Sequence, residues 1–266
     1  MPPYVGLPEV DAASVLEGRA TALAEAEVTN DYGTPNLLFL YYIPPITDEQ
    51  RNDLEAAKTE LQSWNAWELS AAEDQVQKQL RKGTLPGDDS AESRARRTNY
   101  RAQVVTYLRE NSENAWLGPT QSPQDDAFNQ VVKKSEVNGV IRRVLRDHYA
   151  AKRKPRQMSV AVNILSDVAA SNPGSANNKF YLTQVFYNWD ATVRGFRPDI
   201  QVSSLSVTQT PDRAEEDSVA LKVEVLDSVF VLDRAGWNEA SGGTQAAIRA
   251  GEKIRREMAL DFYLET

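Results

Sequence analysis

The sequence predicts an α+β fold: long amphipathic helices in the N-terminal half, then a mainly antiparallel β-sheet with a C-terminal helix. Three observations carry this. Up to Pro155 the apolar residues recur at three- and four-residue intervals, in stretches rich in Ala, Leu and Glu. Beyond Pro155 they alternate with polar ones, and a last stretch from about Thr244 to Met258 returns to helical spacing. The change of period divides the chain into a helical region, 1–155, and a sheet region, 156–266, as two domains or as two layers of one.

Taken in order, Glu9 to about Asn30 is built of good helix formers and is broken by "TNDYGTPN". Leu37–Ile43, "LLFLYYI", is apolar and aromatic, too short for a helix and ended by Pro44-Pro45, so it reads as a strand or a buried extended segment. Thr47-Asp48-Glu49-Gln50 has the form of a capping box, with acids suited to the positive end of the helix dipole. The helix it opens carries Leu54, Ala57, Leu61, Trp64 and Trp67 and runs to Lys82, where "GTLPGDDS" stops it. A second helix runs from Asp89 or Ser90 to about Asn111.

Ser122 then caps, with Pro123 at the first helical position and Asp125 and Asp126 behind it, predicting a third helix to about Lys152. Val160, Val162 and Ile164 alternate as in a strand. Lys179–Trp189, Ile200–Thr208 and Val219–Leu232 are further strands, the last clearly half-buried, and "LDFYLE" closes the chain as a short edge strand or docked tail.

Composition removes most chemistry. The 266 residues include no cysteine and one histidine, His148. Disulfides, thiolate catalysis and Cys- or multi-His zinc sites are excluded, and no cofactor or metal is expected. There is no G-x-S-x-G, no Walker A loop and no G-x-G-x-x-G. "MPPYVGLPEV" lacks the form of a signal peptide. The longest apolar run falls far short of the ~20 residues of a membrane helix. The expectation is a soluble protein made in the cytoplasm, without membrane insertion.

The net charge of −8 is unevenly placed. Residues 1–80 carry 14 acids and 4 bases, whereas residues 133–156 carry 9 bases and 2 acids. On a helical wheel of ~100° per residue, Val137, Val144, Leu145 and His148 share a face with Ile141, and Arg142, Arg143, Arg146 and Arg153 lie opposite. Arg142, Arg143, Arg146, Lys152, Arg153, Lys154 and Arg156 are therefore the candidates for contact with a polyanion or with the acidic surface of another subunit. The alternative is a solvated helix face. His148, on the apolar side, reads as a boundary residue packing its ring near the core, because adjacent Asp147 points elsewhere.

Lys179–Trp189 is apolar on both faces, so it is either central and covered or meets a partner. Tyr181, Tyr187 and Trp189 are its aromatic interface candidates. Among the 38 acids, Asp190, Asp199, Asp227, Asp233 and Glu239 fall at strand ends, where sites often lie, and Asp212, Glu215, Glu216 and Asp217 form an acidic loop. Together these readings predict a non-enzymatic structural protein. It would act by self-association or by joining components of a large particle, such as the neck, tail or baseplate of a tailed phage or injection machine. The expected partners are further copies or other structural subunits. The alternatives are a carboxylate-based hydrolase, which needs two acids facing across a deep cleft, and a nucleic-acid-binding module using the basic helix at 133–156.

Overall fold

Leu37–Ile43 forms β1, an inner strand of the sheet, as its composition allows. It lies between β4 (Asn178–Asp190) and β7 (Ala259–Tyr263) and runs parallel to both. The computed structural model describes residues 8, 37–110, 116–120, 124–150, 159–163, 165–166, 178–212 and 214–263. The expected helix at 9–30 and the basic residues Lys152, Arg153, Lys154 and Arg156 lie outside the described residues.

β4, β5 (Gly195–Pro211) and β6 (Ser218–Leu232) form an antiparallel meander. β2 (Leu117–Pro119) and β3 (Gln124–Lys133) share the far side of β6, both antiparallel to it. The order across the sheet is therefore β2 and β3, then β6, β5, β4, β1 and β7. Antiparallel pairings dominate, and the α+β reading holds.

Helices cover both faces. On one lie α1 (Arg51–Arg81), α2 (Ala91–Glu110), α4 (Arg234–Ser241) and α5 (Gln245–Met258). Their core joins Leu61, Trp64 and Leu69 to Phe39, Val185, Tyr187 and Ile200 of the sheet. Trp67, Trp116 and Trp237 meet edge-on and tilted at 5.1–5.9 Å between ring centroids, tying α1, the approach to β2 and α4 together. On the other face α3 (Val137–Ala150) and the helical residues 159–163 pack Ile141, Leu145, Tyr149, Ala161 and Val162 onto Leu40, Leu182, Leu221 and Val223.

α1 begins as its sequence foretells: the Gln50 side chain accepts from the Thr47 N–H at 3.0 Å, one half of a capping box. Its middle, Trp64–Ser70, is buried all round because the sheet, α2 and α5 enclose it. Acids are therefore trapped inside. Glu68 is paired bidentately with Arg109 (2.6 and 2.9 Å), and one oxygen of Glu73, Oε2, accepts twice from Arg101 (2.6 and 2.9 Å). Both carboxylates and Arg101 are wholly excluded from solvent.

Two expectations are corrected. Ser122, Pro123, Ala151 and Lys152 lie outside the described residues; of the rest of the predicted helix, Gln124–Lys133 is a strand and Val137–Ala150 is α-helical. Ten residues of pairing with β6, with Phe128 and Val132 packed under α3, outweigh local helix propensity. The alternation at Val160–Ile164 is not a strand either: residues 159–163 are helical. Ala161, Val162 and Leu165 are buried together, which is helical spacing.

Candidate functional site at the β3 edge

β3 is the structural feature the sequence concealed. Eight of its ten residues are exposed, and among the described residues no strand pairs with its outer side. Every second residue of an antiparallel edge directs its N–H and C=O away from its partner. Natural edges are usually blunted by charge, proline or a bulge. Here the charges sit at the ends, Asp125, Asp126 and Lys133, while Ala127–Val132 carries none. Val131 in that stretch is 58% exposed.

α3 lies over β3 and β6. Val137, Val140, Ile141, Leu145, His148 and Tyr149 are buried, and Arg142, Arg143 and Arg146 are exposed. The helical wheel placed all three arginines on this outer side.

His148 anchors the arrangement. Its ring is buried at the end of α3, with Nδ1 2.5 Å from Asp126 Oδ2 of β3 and Nε2 3.1 Å from Asp227 Oδ2 of β6. Gln201 of β5 donates to the same Asp227 oxygen at 2.8 Å. Tyr149 meets the imidazole edge-on at 4.9 Å. One histidine thus ties α3 to two strands. Sequence reasoning placed His148 correctly on the inner face but missed Asp126, because it set that residue on a helix. Both ring nitrogens are engaged, so the side chain is arranged to hold structure together rather than to pass a proton to a substrate.

The aromatic candidates separate. Tyr187 is buried in the helix-covered core and Tyr181 is half-buried, since β4 is flanked by β5 and β1 and covered by helices. For Tyr187, an interface candidate, the structure takes the other alternative, a covered core position. Trp189 is 38% exposed at the end of β4, edge-on to Phe196. It lies beside the β4–β5 turn, where Asp190 accepts from the backbone N–H groups of Thr192 and Val193 and Arg194 takes a positive φ of 52°. Those bonds hold the Asp190 carboxyl below its ordinary range.

An open depression of about 510 Å³ adjoins this turn, lined in part by Asn188, Asp190, Arg197 and Asp199. Burial pushes the Asp199 carboxyl up, against the Asn188 amide and the charge of Arg197. Among the described residues, no group of His, Cys, Asp and Glu has the arrangement of a metal site.

No family model matches the chain, and no curated protein matches it. Among solved structures it is similar to one described as the structure of the Evf virulence factor, at 12% identity over 96% of each chain and a TM-score of 0.48. It is also similar to a delta-endotoxin, at 10% identity over 74% of this chain and 81% of that one, with a TM-score of 0.35. Among the described residues no helix is long and apolar enough to cross a membrane.

Proposed function

We propose that the protein is a non-enzymatic structural subunit that joins copies of itself through the edge of its sheet. The observation that carries this reading is β3, an open strand with an uncharged centre and an exposed valine. A second β3 laid antiparallel would satisfy the outward N–H and C=O groups of both strands and cover Val131. The exposed arginines of α3 can meet the exposed acids Glu215, Glu216 and Asp217 of a neighbour. A place in a larger particle, such as the neck, tail or baseplate of a tailed phage, is the setting in which such joining would serve. Its support is the charge segregation and the lack of catalytic motifs in the sequence.

Joining is favoured over hydrolysis because His148 has both nitrogens committed and Asp190 is bound up in its own turn. The nucleic-acid reading keeps the exposed Arg142, Arg143 and Arg146 as its support, and a steep fall of binding with salt is its mark.

The test is sedimentation velocity over a range of protein and salt concentrations, comparing the wild type with Asn129→Lys/Val131→Lys. Both positions are exposed, so the fold should be kept. The wild type is expected to self-associate. The double variant should do so at least about tenfold more weakly, because like charges would face each other across the new ladder. A wild type that stays monomeric and captures no macromolecular partner would refute the proposal.

A further inference from the structure

The depression beside the β4–β5 turn is built on paired strands. Register sets Asn188 of β4 opposite Arg197 of β5, and Asp199 follows Arg197 by two residues, on the same face of its strand. The Asn188 amide donates to Asp199 Oδ2 at 2.6 Å. β6 adds Val229, whose carbonyl accepts from the N–H and the hydroxyl of Thr120 at 2.9 and 3.2 Å. Thr120, next after β2, is held by these bonds where it too lines the depression. Groups mounted on strands keep a fixed spacing, as a binding site requires.

The lining selects a ligand by its charge. Asp190 and Asp199 both border the depression, so an anion would meet two carboxylates. Arg197 stands with them and its charge acts on each, so a cation would meet a guanidinium. A wholly apolar molecule would strip water from Asn188, Arg197 and Asp199 and give nothing in return. A neutral molecule rich in hydroxyl groups meets none of these objections. Each hydroxyl both donates and accepts, so neighbouring ones can be shared between the Asp199 carboxylate, the Asn188 amide and the Arg197 guanidinium. Hydrogen bonds to the two charged groups are the stronger kind.

Size and surface agree with this. The volume of about 510 Å³ falls inside the span of small-molecule sites, about 300–1,000 Å³. Trp189 borders the depression, 38% exposed and steadied edge-on by Phe196 at 5.2 Å. It supplies apolar aromatic surface for the C–H groups of a sugar ring.

We propose that this depression binds a neutral saccharide, with Asp199, Asn188 and Arg197 as its hydrogen-bonding residues. The proposal draws on β4, β5 and β6 and is independent of pairing at β3.

The test is saturation-transfer NMR on the full-length protein with maltose, cellobiose, lactose and diacetylchitobiose, and with glucuronate as the charged comparison. At least one neutral disaccharide should receive transfer at millimolar concentration, and glucuronate should not. Asn188→Ala and Asp199→Ala should each weaken that binding at least about tenfold, the usual result of losing a hydrogen bond made to or by a charged group. Asn188 is exposed, so its variant should keep the wild-type thermal midpoint and carries the test if Asp199→Ala folds poorly. Asn129→Lys/Val131→Lys should bind the disaccharide as the wild type does.

Transfer to none of the four disaccharides would overturn the proposal. Transfer to glucuronate alone would also overturn it, by making the depression an anion site centred on Arg197. Full affinity in both alanine variants, or loss of binding in the β3 variant, would place the sugar elsewhere on the molecule.

Discussion

Replacing Arg109 with methionine is expected to cost the fold about 3–5 kcal/mol, the usual result of removing one member of a buried ion pair. Three donors are lost together: two to Glu68, and one to Thr183 Oγ1 at 2.8 Å. The guanidinium also lies over the rings of Trp64 and Phe39, at 5.5 and 5.8 Å from their centroids. What remains is Glu68, wholly buried, with only the Asn65 amide at 3.0 Å.

Replacing both partners, as Glu68→Met/Arg109→Met, should recover most of the loss, because no charge is then stranded. The single variant also has a pH signature. Burial already pushes the Glu68 carboxyl above its ordinary value of 4.5, while Arg109 and Asn65 pull it down. Without Arg109 the upward push dominates. A carboxyl raised in the folded state favours folding below its unfolded value, and that advantage fades as pH rises through the folded one. The deficit against wild type should therefore be smaller near pH 5 than at pH 7. Urea unfolding of the wild type and both variants at the two pH values checks this, and an equal deficit at both would contradict it.

Gly251→Ala should be nearly as damaging, through packing alone. Gly251 lies where α5 crosses α1, and a Cβ there would fall 1.7 Å from the Ala66 carbonyl oxygen and 2.5 Å from its carbon. These are backbone atoms in the enclosed middle of α1, so neither a rotamer change nor a loop shift can relieve the clash. Alanine normally gains up to about 1 kcal/mol over glycine inside a helix. Overpacking of this kind typically costs about 1–3 kcal/mol, and more where the backbone must move. The sterics should win, giving a lower thermal midpoint. Gly139→Ala is the matching control: it lies in α3, with no atom within 4 Å of the added carbon, and should raise the midpoint slightly. Two parallel shifts would mean that the crossing is not as close as described.

These two sites mark where sequence reading succeeded and where it stopped. The start of α1 at Thr47, the strand at Leu37–Ile43 and the inner and outer faces of α3 all follow from local signals a few residues long. Glu68 and Glu73 gave no such signal. Acids within a helical stripe look solvated, and their partners Arg109 and Arg101 lie on another helix. Burial of α1 on all sides is a tertiary fact, set by α2 and α5 closing over it. β3 was misread for a related reason. An edge strand has one half-buried face and one open face, so only Phe128 and Val132 report its alternation, and the acids after Pro123 imitate a helix start. With β3 misplaced, Asp126 could not be brought to His148. Arg197 was passed over because only the β4–β5 register sets Asn188 opposite it and brings both beside Asp199.

The position of β1 has a consequence for how the chain reaches this structure. Its seven apolar and aromatic residues leave the ribosome well before their neighbours: Leu37 pairs with Tyr181, and Phe39 with Ala259. Loop closure over such separations is slow, and parallel ladders are among the last to be rewarded. Through most of synthesis "LLFLYYI" is a sticky segment without its strands, the kind of exposure that recruits chaperones or seeds aggregates. Truncations that remove β7 should therefore do more than trim an end. They would leave one side of β1, whose seven residues are all apolar or aromatic, permanently open.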